Sequence, residues 1–492
     1  MALDEQIYQL RREKLKQLEA LGQESYPRRY DFTHTVAQVL ADYSGKTAEE
    51  LEATRISVKV AGRILAIRLM GKAGFAQLQQ DGQRLQAYIK KDAVGEKGFE
   101  IYKLLDLGDH IGVSGYLFRT RTGELSIHAD EITFLAKDLL PLPEKWHGLT
   151  DVELRYRQRY VDLVMNPDVR EVFVKRSKLV QSLRRSLDAR GFIEVETPMM
   201  HAIAGGAVAK PFVTHHNALD IDVYLRISAG ELWQKVLLVA GFPKVFEIGR
   251  IFRNEGQSRE HLQDYTQLEF YQAYSDYTEG MRMIQEMYRH VAKEVYGQYT
   301  FEINGHTVDL ADEWKQIDYA TAIQEKFGID PVLCSEVEAI DTAIQVGALQ
   351  KGEEANKARA IDQLWKSVRK SIAGPAFLVG VPLYLEPLAK KSPNNPETVE
   401  RFQVIIAGSE VGKGFSELND PIDQRERFDY QQKLRDAGDD EAQRLDEDYV
   451  RAMEYGMPPA FGFGVSERLF SFLENKPVHE GQFFPLQRPK TE

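Results

Sequence analysis

Hydrophobic and polar positions follow three different patterns along the chain. From residue 1 to about residue 52, apolar Leu10, Leu15 and Leu18 recur among charged residues, which predicts an N-terminal helical extension. From residue 53 to about residue 140 the sequence changes to short alternating runs rich in β-branched residues, separated by Gly or Asp-Gly. Several short strands at close spacing predict a small barrel or sandwich.

The second segment combines about five strands with a more helical stretch, residues 90–107, in its middle. This combination is typical of an oligonucleotide-binding (OB) barrel. Residues 141–170 then read as a linker, in which Pro141 and Pro143 stop any helix.

Mixed helices and strands fill the remaining segment, residues 171–492. They predict a large domain built on an antiparallel sheet. Residues 320–372, rich in Ala, Glu, Lys and Gln, predict a helical insertion in that domain. The expected fold class is therefore α+β, with an N-terminal OB-type barrel and a larger sheet domain.

Two neighbouring strand-like runs, residues 246–256 and 257–274, carry polar groups on one face, since side chains alternate between the faces of a sheet. The polar faces hold Glu247, Gly249, Arg253 and Glu255, and then Tyr265, Gln267, Glu269 and Tyr271. The opposite faces hold Phe246, Ile248 and Phe252, and then Thr266, Leu268, Phe270 and Tyr274. A face that is both aromatic and ionic indicates either a binding site or the solvated side of an antiparallel hairpin. The pattern alone does not choose between them.

Composition excludes several classes of protein. The hydrophobic fraction of 43% and the charged fraction of 28% are ordinary for a globular chain of 492 residues. The single Cys334 rules out an internal disulfide and argues against a cysteine-based zinc site. We expect no membrane partner and a cytoplasmic location, because the sequence has neither a long apolar stretch nor a signal-peptide core. The net charge of −12 disfavours an indiscriminate nucleic-acid coat.

Three motifs carry the chemistry, in a fixed order. They are GFIEVETPMM with Pro198, FRNEG followed by Glu260-His261, and GFGVSERL with Arg468. These resemble motifs 1, 2 and 3 of the class II aminoacyl-tRNA synthetases. An N-terminal barrel is typical of the subclass that charges lysine, aspartate and asparagine, and GFSELNDPIDQRERF and MGKAGFAQLQ resemble its lysyl members. The similarity extends from about Val58 to Pro489.

The resemblance implies ATP-dependent activation of L-lysine to lysyl-adenylate, followed by transfer to the 3′ end of tRNA(Lys). Arg253 and Arg468 are the expected catalytic residues, because a planar guanidinium matches phosphate oxygens. No general base is expected, since positioning and charge stabilisation suffice for this reaction. The expected ATP-binding residues are Arg253, Glu255, His261, Tyr265, Glu410 and Arg468.

A pocket for lysine must supply carboxylates, since an ammonium group is costly to remove from water. Glu231 and Glu417 match the family positions that hold the side-chain ammonium. The other expected lysine-binding residues are Gly206, Glu269, Tyr271 and Phe415. An enzyme for aspartate or asparagine remains an alternative, although the glutamates would repel an anionic substrate.

The resemblance also implies Mg²⁺ at the phosphates, with Glu410 and Glu417 as expected metal ligands. This chain departs from the family pattern nearby. Gln403 stands at a position that is usually glutamate, and Lys413 stands where asparagine is usual in the lysine pocket. Glu260 replaces an arginine before the motif 2 histidine. These changes keep a non-catalytic RNA-binding paralogue open as a second alternative.

The barrel is expected to read the anticodon, because RNA-binding proteins stack unpaired bases on aromatic side chains. Phe75 and Gln86 match the positions that stack on and read a central anticodon base, and Glu124 completes that site. Periodicity alone would instead place Phe75 in the barrel core. The resemblance further implies a homodimer formed through motif 1.

Overall fold

The protein is described by a computed structural model covering residues 2–143, 149, 151–203, 205–207, 209–353, 355–436 and 443–489. The chain forms two compact units. One comprises Met1–Glu171 with Leu486–Glu492, and the other comprises Val172–Pro485. Residues 144–148 and 150 of the predicted linker lie outside the described residues, as does residue 354 of the predicted insertion.

The first unit begins with the predicted helical extension. Its helices are α1 (Ala2–Ala20), α2 (Val36–Tyr43) and α3 (Ala48–Thr54). Thr35 and Thr47 cap α2 and α3, each in a capping box that pairs free backbone N–H groups at the helix start. Helix α1 ends at Ala20.

A closed five-stranded barrel follows, in the strand order β1-β2-β3-β5-β4. Its elements are β1 (Ser57–Met70), β2 (Ala73–Gln80), β3 (Gln83–Lys90), α4 (Lys91–Leu104), β4 (His110–Arg119) and β5 (Leu125–Ala136). Alternate residues such as Val58, Val60, Ala76 and Leu78 fill the interior. The predicted OB-type barrel, with its helix after the third strand, is confirmed.

Four helices and four short strands lie between the barrel and the motif 2 region among the described residues. They are α5 (Val152–Arg157), α6 (Arg159–Met165), α7 (Pro167–Asp188), β6 (Ile193–Glu194), β7 (Met200–His201), β8 (Val213–His216), β9 (Ile221–Leu225) and α8 (Glu231–Val239). Strands β7, β9 and β8 form a small antiparallel sheet.

The rest of the second unit completes an eight-stranded sheet. Its elements are β10 (Lys244–Phe252), β11 (Asp264–Ala273), α9 (Tyr277–Val291) with a π-helical turn (Ala292–Tyr296), β12 (Thr300–Ile303), β13 (His306–Asp309), β14 (Lys315–Asp318), α10 (Tyr319–Phe327), α11 (Glu336–Gln345), α12 (Lys357–Arg369), β15 (Ala376–Val379), β16 (Arg401–Ile406), β17 (Ser409–Ser416), α13 (Pro421–Asp436), α14 (Glu447–Glu454), β18 (Ala460–Ser466) and α15 (Arg468–Leu473).

The large sheet has the order β14-β15-β16-β17-β18-β11-β10-β6. Within this sheet, the described strand pairs β14–β15 and β10–β6, at its two ends, are parallel, and the other described pairs are antiparallel. The predicted α+β class and antiparallel sheet domain are confirmed. Helices α10, α11 and α12 occupy the predicted insertion. None of the helices in the described part of the chain is long and apolar enough to cross a membrane.

The alternation predicted for the two strand-like runs holds within the strands and fails at their ends. On β11, Leu268 and Phe270 enter the hydrophobic core, while Glu269 and Tyr271 face the other way and are also buried. Strand β10 ends at Phe252, so the prediction that Arg253 and Glu255 belong to it is wrong. The placement of Tyr274 in the core is also wrong: it follows β11 and is 78% exposed.

Candidate active site

A cavity of about 540 Å³ lies in the second unit, on the face of the sheet that carries Glu269. It brings together most of the residues that the sequence singled out. Those that line it are Gly206, Glu231, Arg253, His261, Tyr265, Glu269, Tyr271, Gln403, Glu410, Phe415, Glu417 and Arg468. Glu255 is not among the lining residues, because it lies exposed in the loop after β10. Its role in ATP binding stays a prediction.

Two carboxylates, Glu231 and Glu417, form an acid pair at one end of the cavity. Glu231 opens helix α8, and Glu417 follows β17 and is 1% exposed. Lys235, one turn after Glu231, places its Nζ 2.8 Å from Glu231 Oε1 and 2.6 Å from Glu417 Oε2. The Nζ also lies over the rings of Tyr271 and Phe415, at 5.7 and 5.2 Å from their centroids. The pair is therefore bridged by a lysine of the chain itself.

One carboxylate oxygen of the acid pair is buried without a hydrogen-bond donor in the described part of the chain. Glu417 Oε1 is buried and accepts no hydrogen bond from the described residues. A Cβ at Gly462, in motif 3, would come within 2.1 Å of this oxygen, so only glycine allows the carboxylate to lie this close to the strand. A buried carboxylate oxygen without a donor is costly, and a cationic ligand would relieve that cost.

Glu269 forms the second anionic group of the pocket. Its Oε1 accepts hydrogen bonds from the Ala229 backbone N–H at 2.9 Å and from Gln267 Nε2 at 2.6 Å. The hydroxyl of Tyr271 donates to Oε2 at 3.2 Å. Gly206 lies nearby with a φ of 87°, and a Cβ there would come within 2.6 Å of Ser228 Oγ, so both the conformation and the space favour glycine.

Burial controls the charge of these groups. It raises the pKa of Glu417 to about 8, an effect to which Glu231 adds and which Lys235 opposes. Burial and the charge of Glu231 likewise raise the pKa of Glu269 to about 7. For Lys235, burial opposes the charge, but Glu231 and Glu417 outweigh it and raise the pKa of the ammonium. A positively charged ligand would therefore stabilise the ionised form of these carboxylates.

The opposite end of the cavity carries cations suited to phosphate. The guanidinium of Arg253 lies 5.9 Å from the ring centroid of Tyr265, and its Nε donates to the Ile227 carbonyl at 3.1 Å. Arg468, at the start of α15, donates through Nη2 to Glu260 and, at 3.0 Å, to Ser409 Oγ. The residue that replaces the family arginine is therefore an ion-pair partner of the motif 3 arginine.

His261 and Glu260 differ in charge state. Burial and the neighbouring Arg468 lower the pKa of His261, which favours a neutral imidazole at neutral pH. Burial opposes the charge of Glu260, but Arg468 and the Ser409 hydroxyl outweigh it and keep its pKa below the usual range. Glu260 is therefore an anion beside the expected phosphate site.

Among the residues expected at a metal, Glu410 fits the role best. Its Oε1 accepts a hydrogen bond from Trp365 Nε1 at 2.8 Å. Gln403 Oε1 instead accepts from Arg401 Nη2 at 2.8 Å, and Glu417 is bridged to Lys235. Across the described residues, no group of three or more acidic, histidine or cysteine side chains forms a protein-only metal site. A single carboxylate still suits Mg²⁺, which binds through substrate phosphates and water.

Lys413 does not add an unpaired cation to the lysine pocket. Its Nζ lies 3.2 Å from Glu386 Oε1, and Glu386 is 6% exposed and also pairs with Arg401 Nε at 3.2 Å. Burial opposes the charge of Glu386, but Lys413 and Arg401 outweigh it and lower its pKa. The substitution at position 413 thus comes with an acidic partner that the sequence motifs did not reveal.

The first unit carries an aromatic face on the outside of the barrel. Ala76 and Leu78 point into the core, so Phe75 points outward and is half-buried. Its ring centroid lies 5.0 Å from that of Tyr88, which in turn lies 6.0 Å from Phe118. The interpretation of Phe75 as a core residue is wrong.

Of the other expected anticodon residues, Gln86 lies on β3 and Glu124 lies in a loop. Gln86 Nε2 donates to Ser126 Oγ at 3.0 Å. Glu124 lies exposed between β4 and β5. Phe75, Tyr88 and Phe118, together with His128, form the surface that we call the aromatic face; His128 lies 5.6 Å from Tyr88.

Comparison with known proteins fixes the family. Residues 151–488 match the family model described as tRNA synthetases class II (D, K and N), and residues 58–135 match that of the OB-fold nucleic acid binding domain. Among curated proteins, the lysine–tRNA ligase of Bacillus subtilis (strain 168) is 45% identical over 99% of this chain and 98% of its own length. That of Moorella thermoacetica is 46% identical over 98% of both chains. The chain belongs to the lysine–tRNA ligase family.

Membership of the lysine–tRNA ligases confirms the resemblance of the three motifs and makes the chain a class II aminoacyl-tRNA synthetase. It does not by itself assign roles to individual residues. Sequence reasoning missed three cavity-lining residues, Glu386, Arg401 and Trp365. It also missed Lys235, which is not a lining residue but bridges the acid pair. Only Lys235 left a signal, since it lies four residues after Glu231, on the same helix face.

Proposed function

We propose that the chain joins L-lysine to tRNA(Lys) at the expense of ATP. The observation that carries this proposal is the acid pair Glu231 and Glu417 in the cavity lining, where the buried Glu417 Oε1 has no hydrogen-bond donor among the described residues. Substrate lysine would place its ε-ammonium on that oxygen and its α-ammonium at Glu269. Phe415 and Tyr271 would pack on the aliphatic stem.

The activation step forms a bond between the lysine carboxylate oxygen and the α-phosphorus of ATP. The bond between that phosphorus and the bridging oxygen breaks, and pyrophosphate leaves. Arg253 would hold the α-phosphate and the lysine carboxylate together, so that negative charge in the transition state meets a fixed cation. In the second step a ribose hydroxyl of the tRNA 3′ end attacks the lysyl carbonyl, and AMP leaves.

Arg468 would hold the outer phosphates together with His261, and Tyr265 would stack on adenine. Glu260 then has a direct consequence: it must give up Arg468 when the phosphates arrive, because two anions cannot share one guanidinium without cost. Glu410 would hold Mg²⁺, and the bound ion would supply charge neutralisation at the phosphates.

Lysine binding should weaken as pH falls. The ammonium of lysine binds an ionised carboxylate, and the raised pKa values of Glu417, about 8, and Glu269, about 7, mean that both become neutral below those values. We expect the KM for lysine to rise as pH falls from 8 to 6. The measurement is ATP–pyrophosphate exchange across this range, with the KM for ATP as the control. A lysine KM that stays flat over the range would contradict the assignment.

The aromatic face should act in tRNA recognition alone. Phe75→Ala removes one stacking surface, which is worth about 1–3 kcal/mol per base, and we expect the KM for tRNA(Lys) to rise roughly 5- to 100-fold. ATP–pyrophosphate exchange without tRNA should stay unchanged. Phe32→Ala, an exposed phenylalanine outside the aromatic face, is the matched control. Equal effects of the two variants on tRNA KM would refute the assignment.

Two further properties belong to the proposal. Exposed apolar side chains surround motif 1, and they support a homodimer formed there: Ile193, Met199, Met200, Val213 and Trp233. A cytoplasmic location follows from a role in translation.

Charging of a tRNA(Lys) transcript with radiolabelled lysine tests the proposed function as a whole. We expect lysine to accumulate on the tRNA only when ATP and Mg²⁺ are present. If the chain binds the transcript but charges it with no amino acid, the alternative interpretation, a non-catalytic RNA-binding paralogue, is correct.

A further inference from the structure

The predicted insertion forms part of the cavity wall. Helix α12 buries an apolar face in the core of the second unit, with Ile361, Leu364 and Trp365 almost inaccessible. Two of its residues, Asp362 and Trp365, line the cavity, as does Tyr319 at the start of α10. The ring of Tyr319 packs against Trp365 at a centroid distance of 5.3 Å. The segment is therefore not a peripheral addition to the sheet domain.

The end of α12 is attached to the turn between β16 and β17. The backbone N–H groups of Ala407 and Gly408 donate to the carbonyls of Ala373 and Ile372, at 2.7 and 2.8 Å. Gly408 has a φ of 73°, and a Cβ there would lie 3.0 Å from the Lys370 backbone. Such a close approach of two backbones fixes the turn that leads directly into Ser409 and Glu410.

Side chains of α12 reach the same turn. Arg369 Nη1 donates to Ser409 Oγ at 3.2 Å, and Ser409 Oγ in turn contacts Arg468. One helical turn earlier, the indole N–H of Trp365 donates to Glu410 Oε1 at 2.8 Å. Both indole and carboxylate line the cavity. Helix α12 therefore orients the carboxylate proposed as the metal ligand.

We propose that Trp365 is a positioning residue for the metal, acting through Glu410. The inference rests on the proposed role of Glu410 in holding Mg²⁺. By binding Oε1, the indole fixes the carboxylate plane and leaves Oε2 to the ion. The orientation of Glu410 matters because the other position where the family has a metal-binding glutamate is Gln403. This neutral side chain already accepts a hydrogen bond from Arg401. Pre-orientation of the remaining carboxylate compensates for the missing one.

Trp365→Phe tests the proposal, because it removes the indole N–H and keeps an aromatic ring against Tyr319. Trp314→Phe is the matched control: Trp314 is also buried and donates its N–H to the Leu310 carbonyl, and it does not line the cavity. The probe is Mn²⁺, with free ion measured by electron paramagnetic resonance in the presence of a non-hydrolysable ATP analogue. Lysine and tRNA are omitted.

We expect Trp365→Phe to weaken Mn²⁺ binding about tenfold, with no such change in Trp314→Phe. The KM for lysine should be the same in both variants, and thermal unfolding should confirm that both are folded. Unchanged Mn²⁺ affinity in Trp365→Phe, or equal losses in the two variants, would overturn the inference.

A third variant, Glu410→Gln, separates this inference from the proposal on which it rests. If Glu410→Gln weakens Mn²⁺ binding and Trp365→Phe does not, only the positioning role is wrong. If Glu410→Gln leaves Mn²⁺ affinity unchanged, the metal role of Glu410 is wrong, and the inference fails with it. Lysine-dependent ATP–pyrophosphate exchange by the unaltered chain reports separately on the proposed function.

Discussion

Arg253→Ala should lower the kcat of lysine-dependent ATP–pyrophosphate exchange by about 10²–10³-fold, the loss typical when one preorganised transition-state contact is removed. Arg253 lies in the cavity directly after β10, and its Nε is held by the Ile227 carbonyl. The guanidinium is thus fixed before substrates arrive. Its loss should affect kcat more than the KM for lysine, because the charge it meets develops during the reaction.

Arg250→Ala is the control for this prediction. Arg250 lies on β10 close in sequence, pairs with Asp264, and is not among the cavity residues. We expect it to retain most of the exchange activity. If Arg253→Ala keeps near-normal kcat while it remains folded, the assignment of Arg253 to the α-phosphate is wrong.

Glu417→Gln should have the second large effect, on the KM for lysine. Breaking a buried ion pair by removing one partner costs about 3–5 kcal/mol, which corresponds to roughly 150- to 4,000-fold in binding. Glutamine keeps the volume of the side chain and removes the charge that the ε-ammonium would meet. It also leaves Lys235 with Glu231 as its remaining carboxylate within 4 Å among the described residues.

Glu247→Gln controls for the loss of stability. Glu247 is 4% exposed, pairs with Arg226 and accepts a hydrogen bond from Thr197, all outside the cavity lining. Glu247→Gln should unfold at lower temperature than the unaltered chain, because it leaves the buried Arg226 without its carboxylate partner. Only Glu417→Gln should raise the lysine KM. A similar rise of the lysine KM in both variants would mean that the rise comes from lost stability of the fold and not from a lost contact with lysine.

Strand periodicity predicted the buried middle of the site and failed at its edges. Leu268 and Phe270 were separated correctly from Glu269 and Tyr271, because the two faces of β11 meet different surroundings. Tyr274 was misplaced, since alternation gives no information about where a strand stops. The chain leaves the strand there with a φ of 60°.

Charge pairing was beyond the reach of sequence patterns. Lys413 stands at a usual asparagine position, and the fold brings to it Glu386, which lies 27 positions away in the sequence. Glu260, which replaces an arginine of the family pattern, likewise pairs with Arg468 across 208 positions. Long-range partners are set by how strands and loops meet, which local spacing does not encode.

Lys235 is a case in which the sequence spacing indicates a contact but not how deeply it is buried. Its position four residues after Glu231 predicts an ordinary helical ion pair of the kind found on protein surfaces. The structure instead buries it between Glu231 and Glu417, where burial gives each charge a far larger effect. The spacing is a signal for the contact with Glu231, which sequence reasoning missed, and it carries no information about the buried environment.

The most direct test of the account is ATP–pyrophosphate exchange with Mg²⁺, measured separately with lysine, aspartate and asparagine. The account predicts exchange with lysine alone. Glu231, Glu417 and Glu269 favour an amino acid with two ammonium groups and repel a side-chain carboxylate. Exchange with aspartate or asparagine, or no exchange with any of the three in the presence or absence of tRNA(Lys), would contradict it.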